Sequence, residues 1–184
     1  TTVLTMEFDL DEWISWGIDH GMPPELLAFA RLKPELVSKF EPNKEMKKSP
    51  TPRSVAGVGR LVNLGGLDCE ALAGAAGEGF ATEFLAFYRT WQSLPDRTEI
   101  YLNPDTAPVP EAPDVLYALM GSLSFAANPQ NFDQTVRYLL RVPAEFSVVC
   151  VKDAIARNKL LTNTRAFNEW ARDHAAVFSY DAAA

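Results

Sequence analysis

Apolar residues recur at three- and four-residue intervals in almost every segment of this chain, and each run is closed early by a proline, a glycine or a helix-capping side chain. Apolar positions at i, i+3, i+4 and i+7 share one face of a helix, so the pattern points to a mainly α fold built from short amphipathic helices. Leu10, Trp13, Ile14 and Gly17 form the first stripe, with Asp9 and Glu12 at capping-box spacing and Gly21 as its stop. Pro23 and Pro24 suit the first turn of a second helix carrying Leu26, Leu27, Phe29 and Ala30. A short third helix is expected at Glu35 to Lys39, followed by a polar, lysine-rich loop over 40–50. Thr51 then caps a helix that opens on Pro52, buries Val55, Val58, Leu61 and Val62, and stops at Gly65-Gly66. Asp68 caps a helix through Ala76, and Gly77-Glu78-Gly79 leads into the strongest stripe: Phe80, Phe84, Phe87, Tyr88 and Trp91. That stripe reads as core, with Phe84 and Trp91 buried.

Pro95, Pro104, Pro108, Pro110 and Pro113 mark residues 95–113 as a connector. Beyond it, helices are expected from Asp114 to Ala127, from Asn128-Pro129 onward with Phe132, Val136, Leu139 and Leu140, after Pro143 with Phe146, Val149, Cys150 and Ile155, and from Thr164 to Phe178. At most two marginal strands are predicted, at residues 3–8 and 99–103, where β-forming residues gather. The expected organisation is a helical subdomain over 1–94, the connector, and a second small helical bundle over 114–184.

Several function classes lose ground on composition. A net charge of −7 argues against nonspecific nucleic-acid binding. No apolar run approaches the roughly 20 residues that span a bilayer. No basic-then-apolar leader opens the chain, which begins at Thr1, and a cytoplasmic location is expected. Cys69 and Cys150 lie in Ala- or Val-rich surroundings and read as buried free thiols. His20 and His174 have no Cys or His near them, so no metal site is expected. There is no G-x-x-x-x-G-K-[ST] loop, no apolar strand ending in Asp-Glu, and neither G-x-S-x-G nor H-E-x-x-H. Asp9, Asp11 and Glu12 are explained by helix capping.

The charge is unevenly spread. Between Lys39 and Arg60 lie six basic residues (Lys39, Lys44, Lys47, Lys48, Arg53, Arg60) and only Glu41 and Glu45 against them. The segment is either a solvated loop or one that faces an anion. Within it, Ser49-Pro-Thr-Pro-Arg53-Ser54 places Arg53 in the first turn of a helix. A cation there opposes the helix dipole at a cost on the order of 0.3–1 kcal/mol. Either a nearby carboxylate or an anionic ligand can offset it, the latter gripped by helix-start amides and guanidinium together. Arg53, Gly57 and Arg60 share one face at i, i+4 and i+7, with a gap at the glycine.

The Pro52-Arg53-Ser54 motif, opening a helix after a Pro- and Lys-containing loop, resembles the sensor-2 motif in the lid of MoxR-type AAA+ ATPases. Phe8-Asp-Leu-Asp-Glu-Trp13, Lys33-Pro-Glu-Leu-Val37, Gly74-Ala-Ala-Gly-Glu-Gly-Phe80 and Pro113-Asp-Val-Leu-Tyr-Ala-Leu119 are similar to the lid region of bacterial and phage members, in the same order. The resemblance covers most of the chain. It implies a lid-like bundle followed by a C-terminal extension, with residues 1–8 as a strand leaving the core sheet. It also implies Arg53 as a nucleotide-sensing residue, with Arg60 beside it. In the intact protein it implies an N-terminal AAA+ core holding ATP and Mg²⁺, a homo-oligomeric ring, and a protein client remodelled as ATP is hydrolysed. The nucleotide-binding motifs lie outside this sequence, so no catalytic residue is assigned here. No nucleotide is expected to stay bound to this chain alone, and no hydrolysis is expected from it. The alternative is an autonomous all-α interaction module that uses its basic loop to bind an acidic partner without nucleotide.

Overall fold

The computed structural model describes residues 7–38 and 49–174. The chain forms two compact units, one ending at Gln92 and the other beginning at Ser93. The described residues are mainly α, with no strand among them. Residues 3–6 of the expected first strand and most of the lysine-rich loop lie outside the described residues.

The first unit contains α1 (Leu10–Asp19), α2 (Pro24–Leu32), a 3₁₀ turn (Pro34–Leu36) where a short helix was expected, α3 (Pro52–Asn63), α4 (Cys69–Ala76) and α5 (Glu78–Gln92). Asp9 and Asp68 cap α1 and α4 by accepting the amides of Glu12 (2.9 Å) and Ala71 (3.0 Å). Asp11 is not a cap: it pairs with Arg31 of α2 at 2.7 Å. The core is aromatic. Phe29 of α2 packs against Phe80, Phe84 and Phe87 of α5, with ring centroids 5.4, 5.4 and 5.7 Å away. All four rings are buried, whereas Trp91, expected inside, lies at the end of α5 and is only half-buried. Two glycines set how closely the site-bearing helices approach. A Cβ on Gly17 of α1 would stand 2.8 Å from Leu27 Cδ2, and one on Gly59 of α3 would stand 3.1 Å from Met22 Cε. Both helices therefore lie tight against α2 and its leading turn, and the Asn63 side chain donates to Gly21 O at 2.9 Å.

The second unit contains α6 (Arg97–Leu102), α7 (Pro113–Ala126), α8 (Phe132–Leu139), α9 (Ala144–Arg157), a 3₁₀ turn (Lys159–Asn163) and α10 (Arg165–Asp173). The strand expected at 99–103 is helix instead. Asp96 caps α6, accepting from both the amide and the hydroxyl of Thr98 at 2.9 Å. Those bonds hold its carboxyl below the usual range, and the cap outweighs the β preference of Ile100 and Tyr101. The proline-rich segment packs into this unit: Ile100 and Ala107 are in its core, and Arg141 donates to Pro104 O and Ala107 O at 3.0 and 2.7 Å. The next helix begins at Phe132 rather than at Asn128-Pro129. Asn128 Oδ1 accepts from the amides of Gln130 and Asn131, while Asn131 Oδ1 accepts from Asn128 N–H at 2.8 Å. These reciprocal bonds close a turn before the helix can start.

The thiols differ from expectation at one position. Cys150 is buried in α9, but Cys69, at the first position of α4, is exposed. Burial, then the nearby Asp153, push the Cys150 thiol well above the normal range, and the thiolate is the reactive form. A chromogenic disulfide reagent is expected to titrate one thiol in the native chain and two after denaturation. Rapid reaction of both thiols under native conditions would show that α9 opens readily.

Candidate functional site

The local sequence around Arg53 explains its presentation. Thr51 is extended and Pro52 starts α3. Thr51 Oγ1 accepts from Ser54 N–H at 3.2 Å, and Ser54 Oγ accepts from Thr51 N–H at 2.8 Å, a complete capping box. Val55 N–H already bonds Thr51 O at 2.9 Å, and Pro52 has no N–H to offer. The first turn is thus left with the Arg53 N–H as its unclaimed amide. The sequence suggested several helix-start amides gripping an anion with the guanidinium. Here the guanidinium has to carry most of that work.

Val55, Val58 and Gly59 face inward, while Arg53 and Arg60 are both exposed. Among the described residues, neither guanidinium forms an ion pair. The terminal Nη2 of Arg60 lies 3.7 Å from where a Cβ on Gly57 would stand. The gap at Gly57 is therefore where the Arg60 side chain lies, toward the Arg53 end of the helix. Lys39, Lys44, Lys47 and Lys48 lie outside the described residues.

The arginines do not stand on a bare helix. They line a groove of about 320 Å³ with Pro52, Ala56 and two tryptophans of α1, Trp13 and Trp16. A second hollow, of about 420 Å³, shares Trp13, Trp16 and Pro52 and is lined otherwise by Glu7, Phe8, Asp9 and Glu12. The charge therefore differs between the two hollows: guanidiniums line the first and carboxylates the second, with both tryptophans and Pro52 common to them. Trp13 is 9% exposed and belongs to the core stripe; Trp16 is 41% exposed. Sequence periodicity identified Trp13 only as core and did not single out Trp16. Trp16 lies at the edge of the stripe formed by Leu10, Trp13, Ile14 and Gly17, and a large aromatic side chain at such an edge is the sequence signal for it.

His20 caps α1, stacks on Trp16 with centroids 4.4 Å apart, and donates its Nδ1–H to Trp16 O at 2.7 Å. His174 does the same on Trp170 at the end of α10, at 4.3 Å and 2.9 Å. Both histidines thus act at helix ends. Among the described residues no group of three His, Cys, Asp or Glu could hold a metal ion, and no helix is long and apolar enough to cross a membrane. No protein-family model, characterised protein or solved structure matches the chain.

Proposed function

We propose that this chain is the lid and C-terminal extension of an AAA+ ATPase similar to the MoxR-type enzymes, with Arg53 as its sensor-2 residue. One observation carries the reading. Arg53 projects from the first turn of α3 into a groove, exposed, beside a second exposed arginine, and without a carboxylate partner among the described residues. Two like charges held on one helix face, one of them against the dipole, suit a polyanion better than solvent. The ordered motifs from Phe8 to Leu119 support the same reading. In the intact protein, ATP with Mg²⁺ sits between the core and this lid. Arg53 reaches its terminal phosphate, and hydrolysis changes the lid angle within a cytoplasmic homo-oligomeric ring that remodels a protein client.

The test is Arg53→Ala in the protein that carries this chain together with its ATPase core. A charge-assisted hydrogen bond contributes about 1.5–3 kcal/mol, so hydrolysis is expected to fall about 10- to 100-fold. The urea midpoint of the chain should correspond to a stability within about 0.5 kcal/mol of wild type, as for a surface change. Unchanged hydrolysis would remove Arg53 from the nucleotide and with it this reading. Loss of stability with unchanged hydrolysis would make the arginine a structural residue.

A further inference from the structure

Trp16 is left without a task by the sensor-2 reading. Its indole is 41% exposed, on a helix whose other tryptophan is core, and it lines the groove that also holds Arg53 and Arg60. His20 stacks on one face of it, the imidazole held there by its bond to the Trp16 carbonyl oxygen. A partly open aromatic surface in the same groove as two exposed guanidiniums combines the two elements that recognise a nucleotide. Arginine pairs with phosphate oxygens, and every nucleobase presents a π-face that stacks on an aromatic side chain.

We infer that Trp16 is the platform for the base of the nucleoside polyphosphate whose phosphates Arg53 and Arg60 hold, an assignment that rests on the ATPase reading above. The charge pattern fits. The groove, at about 320 Å³, is open to solvent and holds both guanidiniums and the exposed indole. Its continuation past Trp16 is lined by Glu7, Asp9 and Glu12. Those carboxylates repel phosphates, so a nucleotide enters in one orientation, with the phosphates at the arginines and the base against the indole. The chain by itself therefore carries part of a site, with weak affinity that the core strengthens in the intact protein.

The full 184-residue chain is titrated with ATP, adenosine and inorganic tripolyphosphate at millimolar concentrations. Adenine H2 and H8 resonances report stacking through upfield ring-current shifts, and phosphorus resonances report the other end. ATP is expected to show both signals. Trp16→Leu should abolish the adenine shifts and weaken ATP about tenfold, leaving tripolyphosphate unchanged. The Arg53→Ala/Arg60→Ala double variant should weaken ATP and tripolyphosphate alike and leave the adenosine shifts intact. Adenine shifts that persist in Trp16→Leu, tripolyphosphate binding as tightly as ATP, or no ATP signal at all would overturn the platform. In the intact ATPase, slowed hydrolysis by Arg53→Ala with an unchanged KM for ATP in Trp16→Leu would sink the platform and leave the lid reading standing. Normal hydrolysis by Arg53→Ala would sink the lid reading itself.

Discussion

Phe84→Ala is expected to destabilise the first unit by about 3–5 kcal/mol, the range for removing a fully buried phenylalanine ring. Phe84 has no exposed surface and sits among aromatic neighbours: Phe29 at 5.4 Å, Phe80 at 6.1 Å and Tyr88 at 6.2 Å. The cost has two parts. Apolar area is lost from burial, and α2 and α5 are held apart by their other contacts, so the vacated space cannot simply close. Edge-to-face partners add about 0.5–1.5 kcal/mol per pair beyond area. Against a total stability of about 5–15 kcal/mol, the change is large, and a thermal midpoint drop of at least about 12 °C follows for a domain of this size. Trp13, Trp16 and Trp91 report the unfolding of this unit by emission. A urea midpoint equal to that of wild type would mean that the ring is not enclosed. Arg53→Ala serves as the contrast in the same assay, because its side chain projects into an open groove rather than into this core.

The helices were legible where a cap and a stripe agree. Asp9 before Trp13, Thr51-Pro52 before Val55 and Asp68 before Leu72 each combine a donor-satisfying side chain with a buried face, and the helices start there. Sequence pattern and structure part where two local signals compete. At 97–102, Ile100 and Tyr101 favour a strand, but the Asp96–Thr98 bonds nucleate a helix, and Ile100 then reaches the core from it. At 128–131, the same Asn that resembles a cap closes a turn with Asn131. Cys69 is exposed although its neighbourhood is Ala-rich, because such a neighbourhood does not fix which side of a short helix faces water. The candidate site was legible in part. Arg53 and Arg60 follow from their spacing on one helix, a local property. The tryptophan wall does not: α1 and the start of α3 are separated by a long stretch of chain. Gly17 and Gly59 both pack on the Met22–Leu27 segment, and periodicity, which marks a buried face, does not say which elements meet there.

Trp170→Ala is expected to cost the second unit about 3–5 kcal/mol, with a further contribution that Phe84 lacks. Trp170 is 1% exposed, and its indole Nε1–H donates to Ser147 Oγ at 2.9 Å within the core. Ser147 is itself 2% exposed. Removing the indole leaves that hydroxyl without this donor, and an unsatisfied buried polar group costs about 1–3 kcal/mol. Two further variants separate the parts. Trp170→Phe keeps most of the ring volume and loses the donor, so it should cost less than alanine. Adding Ser147→Ala to Trp170→Phe should recover part of the loss, because the orphaned hydroxyl goes with it. The coupling in that double-mutant cycle is expected at about 0.5–1.5 kcal/mol. Helical ellipticity against urea is the measurement, since Trp170 is the sole tryptophan between residues 93 and 184 and its own emission is lost. A cycle with no coupling would show that Ser147 finds another partner once the indole is gone. A Trp170→Ala chain with a wild-type midpoint would detach α10 from the core altogether.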